Sequence, residues 1–368
     1  MEAQSSSRIN HLASIVVANT ATFDEYVSSC GLPSPSFDHT TPLQLDLPDE
    51  IKRARDAILE ASTELQALVL GPLGHLQNQT FSHNDLIGLQ AIYRYGIAMS
   101  FPVDEEASYE QISRSCGLNE PDLRRIMRHA MTKQVFKEPR KGFVAHTAAS
   151  KVLAEMPLMR DWVGMVCEEM WPSAARTVDA MVKWPASQEP HHTGFSLANN
   201  TEDAIFTEVS KFPARATRFA NAMSLISGEE GFEPYHLVDA YSWDNVKSFV
   251  DVGGSHGTVS IALAQHVQSI HCVVQDVPNV VAEGSSNVPS ELAGRVTFVA
   301  HDFFTDQPVI GADVYHFRWI FHNWPDKYCV SILRCLVPAL KNGARIIISE
   351  FTVPPPGSTS PYQESLVR

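Results

Sequence analysis

From Pro234 onward the sequence alternates short β-rich runs with helical ones, and this alternation restricts the fold more than any other feature of the chain. The β-rich runs cover residues 248–252, 270–275, 295–300, 312–317 and 344–349. Between them a helix starts near Thr258, and another is expected over 326–340, with Cys329, Ile332, Leu333, Leu336 and Leu340 on one face. An aspartate opens that helix and Gly343 lies just past its end, as helix termini favour. Strands alternating with helices predict a mostly parallel, doubly wound α/β sheet.

The preceding half has a different grammar. Residues 1–45 read as an irregular lead-in, with Gly31-Leu32-Pro33-Ser34-Pro35-Ser36 at its centre. From Ile51 the apolar positions Ile51, Ala54, Ala57, Ile58, Ala61, Leu65 and Leu68 share one helical face, and Gly71-Pro72 closes the segment. That stripe suits either a core or a dimer interface. Further on come a helix, a turn at Gly117, a second helix from about Pro121, and a hairpin over 134–145 turning near Gly142. Together these outline a winged helix within a mostly α-helical domain of residues 46–165. Read literally, that motif binds DNA, and Arg124, Arg125, Arg128, Lys133 and Arg140 supply local positive charge. The chain as a whole carries a net charge of −14, which disfavours a polyanionic partner, so a packing or dimerisation module is the reading preferred. Residues 166–245 form a helical connector and 246–368 the α/β domain.

The six cysteines are scattered without a CxxC pair, so neither a disulfide framework nor a structural metal is expected. The start lacks an apolar signal region and no run of 18 apolar residues follows, which predicts a cytoplasmic protein without a membrane segment.

The chemistry concentrates at the carboxyl ends of the expected strands. In Phe249-Val-Asp-Val-Gly-Gly-Ser-His-Gly an apolar strand runs into a glycine-rich turn, where Gly253, Gly254 and Gly257 let backbone approach a ligand. A tight strand-to-helix connection would look the same. Asp276 and Asp302 end the next two strands, positions suited to a ribose diol and an adenine, although either aspartate could equally cap a helix. No Gly-Lys-Ser/Thr follows the turn, so it is not a P-loop. His322 lies between a strand and the helix from Asp326, and Glu350 ends the last strand, so an imidazole and an orienting carboxylate share the same rim.

These residues resemble the class I S-adenosylmethionine-dependent O-methyltransferases of the plant caffeate and isoflavone type, in their fungal branch. The likeness is carried by Arg128-His-Ala-Met-Thr, Val144-Ala-His-Thr-Ala-Ala-Ser, Met170-Trp-Pro, Trp184-Pro-Ala-Ser-Gln-Glu-Pro, His192-Thr-Gly-Phe, Phe219-Ala-Asn-Ala-Met, Asp251-Val-Gly-Gly-Ser-His-Gly, Gln275-Asp-Val-Pro, His301-Asp-Phe-Phe and His322-Asn-Trp-Pro-Asp. It implies a Rossmann-like S-adenosylmethionine-binding domain behind an N-terminal winged-helix dimerisation domain. By that resemblance Asp251 and the glycine turn hold the methionine part of the cofactor, Asp276 its ribose and Asp302 its adenine. Phe303, Arg318 and Trp319 border the nucleoside. His322 matches the family's catalytic base, Glu350 the acid that positions it, and Phe219 and Met223 the lining of the acceptor pocket. A hydroxylated aromatic or polyketide-type small molecule would be the acceptor, in a homodimer that binds neither nucleic acid nor membrane. Family members continue past residues 361–368 with another helix and two strands, so a C-terminally shortened catalytic domain is expected. The alternatives are a methyltransferase-like pericyclase or dehydratase, an inactive pseudoenzyme, and a winged-helix regulator.

Overall fold

A computed structural model describes residues 7–228 and 231–366. The chain packs as two compact units: one comprises the chain up to Ala175 with Val209–Met223 and the stretch from Val353, the other Arg176–Glu208 with Ser224–Thr352.

In the first unit the expected irregular lead-in is corrected. Its first six residues lie outside the described ones, but Arg8–Ser29 is a helix, α1, opened by the Ser7 side chain accepting from the Asn10 N–H. Few of its residues are buried, chiefly Leu12 and Val27, so its apolar stripe is weak in sequence and its stability comes from packing on the next helix. That helix, α2, runs over Asp49–Phe81 and buries Ile51, Ala54 and Ala61. The expected stop at Gly71-Pro72 is a break instead: Gly71 leaves helical geometry (φ 65°), and the helix restarts at Pro72. After α3 (His83–Arg94) the winged-helix outline appears in full. Strand β1 (Ala107–Ser108) precedes α4 (Tyr109–Cys116), Gly117 (φ 77°) turns the chain, and α5 (Glu120–Met131) starts on an Asn119 cap. Strands β2 (Lys137–Arg140) and β3 (Phe143–Ala145) form the hairpin, in a three-stranded sheet of order β1-β3-β2.

Every cation of the expected basic face is matched by a nearby acid. Arg124 pairs with Glu120, Arg125 with Asp122 (3.3 Å), Arg128 with Glu138 (3.1 Å), Lys133 with Asp85 (2.8 Å) and Arg140 with Glu106 (2.8 Å). A duplex would have to displace five carboxylates to gain five phosphates, which reduces the electrostatic gain from these cations.

The second unit is built on a parallel sheet of order β6-β5-β4-β7-β8, comprising β4 (Ser248–Val252), β5 (His271–Asp276), β6 (Val296–Ala300), β7 (Val314–Arg318) and β8 (Arg345–Ser349). Alternate residues serve opposite faces. Phe249, Val274 and Val314 pack with Val259 and Leu263 of a helix over Thr258–His266, while Val250, Val252, Tyr315 and Phe317 pack with Ile332 and Leu336 of a helix over Asp326–Leu336. The latter ends earlier than residue 340 because Pro338 lacks the N–H needed to extend it, and the chain tightens into a 3₁₀ turn. The chain lays down β4, β5 and β6 outward, then returns to place β7 on the other side of β4. That reversal makes the β4/β7 boundary the switch point where open α/β sheets bind ligands. Strand β8 is an edge, with Ile346 (40% exposed) and Ile348 (51%) on its uncovered face. No helix among the described residues is long and apolar enough to cross a membrane.

One buried group makes the first unit acid-sensitive. His146 is fully buried between the rings of Phe101 (4.3 Å) and Phe136 (5.1 Å), and desolvation holds its pKa down to about 4 from 6.5. The unfolded chain therefore takes the proton first, so this contribution to stability is present above pH 6.5 and is lost as pH falls towards 4. Across that window His146 should cost on the order of 3 kcal/mol. Denaturant unfolding at stepped pH checks this: His146→Gln should flatten the dependence between pH 6.5 and 4.

Candidate active site

At the switch point β4 gives way to a turn whose backbone takes left-handed values at Gly253 (φ 72°), Ser255 (φ 50°) and Gly257 (φ 75°). A Cβ at Gly253 would stand 2.5 Å from Ile320 Cδ1, and one at Gly254 would stand 2.7 Å from Asp251 Cγ, so the turn's path requires glycine at both. Four of the five N–H groups of residues 253–257 are bonded within the protein. Gly253 and Gly254 both donate to the Gln275 carbonyl (2.8 and 3.0 Å), Ser255 to Asp276 Oδ2 (2.9 Å) and Gly257 to the Gly254 carbonyl (2.9 Å). A phosphate cradle needs such donors pointing outward. This turn is instead suited to a neutral or cationic ligand.

The three aspartates of the rim differ in their surroundings. Asp276 accepts from the N–H groups of Val277 (2.8 Å) and Ser255, while burial pushes its pKa above the usual carboxylate value. Asp302 is exposed and accepts from the Phe304 N–H (2.9 Å), an Asx turn within its own loop. Asp251 departs from expectation, because it is 2% exposed and lies beneath the turn rather than on the rim. It shares parity with Phe249, which aims it at the helix side of the sheet, where Ser260 Oγ donates to its Oδ2 (2.9 Å) and His316 Nδ1 meets its Oδ1 (2.9 Å). His316 was not singled out in the sequence. Its signal was present, as a histidine inside an apolar strand run opposite an aspartate inside another, and the register pairs the two positions.

Across the switch point, His322 lies in a 3₁₀ turn over Phe321–Asn323. The Glu350 carboxylate accepts from the Phe321 N–H (2.7 Å) with one oxygen and bonds His322 Nδ1 (2.8 Å) with the other. Ile320, two residues before His322, is the side chain that touches Gly253, so the histidine and the glycine turn occupy one rim. Phe303 also lies against Gly253. Trp319 stacks on Phe351 (5.6 Å, 10°) and meets Phe232 edge-on (5.5 Å), while the Arg318 guanidinium sits 4.2 Å over the Trp319 ring and donates to the Phe232 carbonyl. Burial lowers the Arg318 pKa from its usual value. Phe232 and Phe351 carry no motif and were not foreseen. Phe219 and Met223 lie half-buried on a helix over Pro213–Ser227 in the first unit, so they do not belong to the unit that carries the other site residues.

Residues 193–366 match the O-methyltransferase domain. The grayanic acid biosynthesis cluster O-methyltransferase of Cladonia grayi is 42% identical over 98% of this chain and 77% of that protein. The chain belongs to the O-methyltransferase family. The chlorophenol O-methyltransferase of Trichoderma longibrachiatum is 38% identical over 98% of the chain and 79% of its own length. Among solved structures, OxaC superposes with a TM-score of 0.78 at 20% identity, covering 95% of this chain and 85% of that one. LepI in complex with SAM gives 0.71 at 22%, covering 96% and 86%, and these two likenesses concern the fold. The matches run along 98% of this chain and 77% and 79% of these two relatives' own lengths.

This O-methyltransferase uses S-adenosylmethionine, a nucleoside bearing sulfonium, ammonium and carboxylate charges with a net positive charge, as methyl donor. The donor set fits that group: most of the turn's N–H groups are bonded within the protein, the rim carries the carboxylates Asp276 and Asp302 at the ends of β5 and β6, and the aromatic Trp319 follows β7 on the same rim. Replacing Gly254 by alanine tests the fit of the turn. The new methyl meets Asp251 Cγ at 2.7 Å and Val274 Cγ1 at 2.9 Å. Gly254→Ala should destabilise the fold by about 1–3 kcal/mol through overpacking. Calorimetry should also show S-adenosylhomocysteine binding weakened by about tenfold or more.

Proposed function

We propose that this O-methyltransferase methylates a hydroxyl of an aromatic or polyketide-type metabolite, with His322 as general base and Glu350 as the residue that positions it. The observation carrying this reading is the bond between His322 Nδ1 and Glu350 (2.8 Å) at the rim of the glycine turn. A carboxylate only accepts, so Nδ1 carries the proton and Nε2 keeps the lone pair that a base needs. Glu350 is itself clamped by the Phe321 N–H, and the imidazole remains 40% exposed, open to an acceptor.

Bound S-adenosylmethionine supplies an electrophilic methyl group on sulfur. The chain's part is to generate the nucleophile. A phenol of unperturbed pKa of about 10 is mostly protonated at neutral pH, so His322 Nε2 takes its proton as the oxygen attacks. Asp276 is assigned to the ribose hydroxyls, Asp302 to the adenine, and Gly253, Gly254, Gly257, Phe303, Arg318 and Trp319 to the surrounding walls. Asp251 supports the turn from beneath. Phe219 and Met223 are assigned to the acceptor by family resemblance. A phenolic acceptor accords with the name of the Trichoderma relative, a chlorophenol O-methyltransferase.

A chlorophenol is therefore the probe for activity. His322→Ala should lower methyl transfer by about a hundredfold or more, with S-adenosylhomocysteine affinity unchanged, and Glu350→Gln should lower it less. Product mass separates the readings, since methylation adds one methyl mass and a pericyclic reaction adds none. Full activity in His322→Ala would end the assignment of the base.

We further assign residues 46–165 to dimerisation with a second copy of the chain. In support, α2 exposes Leu68, Val69, Leu70, Leu73 and Leu76 around its break, with Leu73 70% and Leu76 60% exposed. Sedimentation velocity should show a dimer that the double change Leu73→Glu with Leu76→Glu converts to monomer.

A further inference from the structure

We infer that His316 is a positioning residue that ties the glycine turn to the base-bearing strand end through a buried chain of hydrogen bonds, Ser349–His316–Asp251–Ser260. The inference rests on the reading of His322 and Glu350 given above. His316 is fully buried in the middle of the sheet, and both ring nitrogens are engaged: Nδ1 with Asp251 Oδ1 (2.9 Å) and Nε2 with Ser349 Oγ (3.0 Å). The Asp251 carboxylate can only accept, so Nδ1 donates to it, and Nε2 bonds the Ser349 hydroxyl. Ser260 Oγ donates to the second Asp251 oxygen (2.9 Å). The carboxylate and the imidazole thus satisfy each other, with a hydroxyl at either end.

Both ends of the chain touch the site. At one end the Asp251 carboxylate is the surface on which Gly254 rests, with only 2.7 Å between Asp251 Cγ and an added Cβ. At the other end Ser349 directly precedes Glu350, and the Ser349 carbonyl receives the Trp319 N–H (3.0 Å). Parity explains why these groups meet: Asp251 of β4, His316 of β7 and Ser349 of β8 follow Phe249, Val314 and Ile347, which face the helix over Thr258–His266. Val314, Tyr315 and Phe317, beside it in β7, are fully buried apolar or aromatic side chains. An apolar side chain at 316 would fill the space but leave the Asp251 carboxylate without its imidazole partner.

The two arms can be cut separately in the full chain. An asparagine amide reaches about as far as Nδ1 and a glutamine amide about as far as Nε2. His316→Asn therefore retains the Asp251 arm, His316→Gln retains the Ser349 arm, and Ser349→Ala removes one oxygen from the second arm. Two readouts apply: the Kd of S-adenosylhomocysteine by calorimetry, and the side-chain Nδ1–H resonance of His322 in ¹⁵N-histidine-labelled protein, assigned by its disappearance in His322→Ala. His316→Asn and Ser349→Ala should leave Kd within about twofold but shift or broaden the His322 resonance, whereas His316→Gln should raise Kd about tenfold with the resonance in place. Changes in melting temperature alone, or equal changes in both readouts for all three variants, would overturn the inference. If the His316 variants do not fold, Ser349→Ala decides it by the resonance. Failure of the base assignment reads out elsewhere, as unchanged methylation of a chlorophenol by His322→Ala.

Discussion

The second unit depends on an ionised group placed where a sheet of this kind normally has only hydrocarbon. Asp251 is the fourth residue of a strand in which Phe249, Val250 and Val252 are all essentially buried. A carboxylate taken out of water costs several kcal/mol unless it is fully hydrogen-bonded. Ser260, one turn into the following helix, and His316, opposite it in the neighbouring strand, supply the bonds. Their geometry has a consequence above the sheet. With the carboxylate fixed under the turn, no side chain fits at residue 254, and the glycine backbone settles onto it with its N–H directed to the Gln275 carbonyl. Ser255 is thereby carried to Asp276. The path of the turn follows from one buried charge.

The same bonds decide the electrostatic character of the rim. Glycine-rich turns at the ends of first strands commonly present N–H groups to phosphates. Here four of the five N–H groups of residues 253–257 are bonded within the protein, and the rim carries Asp276, Asp302 and the Glu350-bound imidazole. A ligand with positive charge is favoured over a polyphosphate on these grounds alone, in agreement with the charge of S-adenosylmethionine. In the first unit a separate balance operates: five cations on the winged-helix segment are each answered by an acid, so the helix–turn–helix outline is retained without the charge excess that nucleic-acid recognition requires.

How far the sequence disclosed all this depended on how local the signal was. The strands of the parallel sheet fell within a residue or two of expectation, since each is an apolar run bounded by turn residues. Helix α1 did not, because its few buried side chains give no clear stripe and α2 supplies the packing that holds it. Asp276, His322 and Glu350 lie at or just past strand ends, positions that are easy to locate in sequence. Asp251 was assigned to the ligand by its motif, whereas its parity with Phe249 sends it beneath the turn. His316 passed unnoticed because a lone histidine in a strand is ordinarily part of the core, and only pairing across β4 and β7 gives it meaning. Phe232 and Phe351 could not be found from pattern at all, since their contacts join segments far apart in the chain.

Trp319 shows how the rim places its histidine. It follows the last residue of β7 and adopts φ 56°, a left-handed conformation that costs a bulky side chain about 1–3 kcal/mol. Several contacts offset that cost: its N–H donates to the Ser349 carbonyl, the Arg318 cation lies over its ring, and Phe351 and Phe232 pack against it. Without the left-handed residue the strand would continue in its own direction. With it, the chain reverses within three residues, Ile320 comes down on Gly253, and the Phe321 N–H and the His322 ring arrive together at the two oxygens of Glu350. The strained residue, held by aromatic and backbone contacts, is thus the means by which a strand end becomes a fixed imidazole beside the glycine turn.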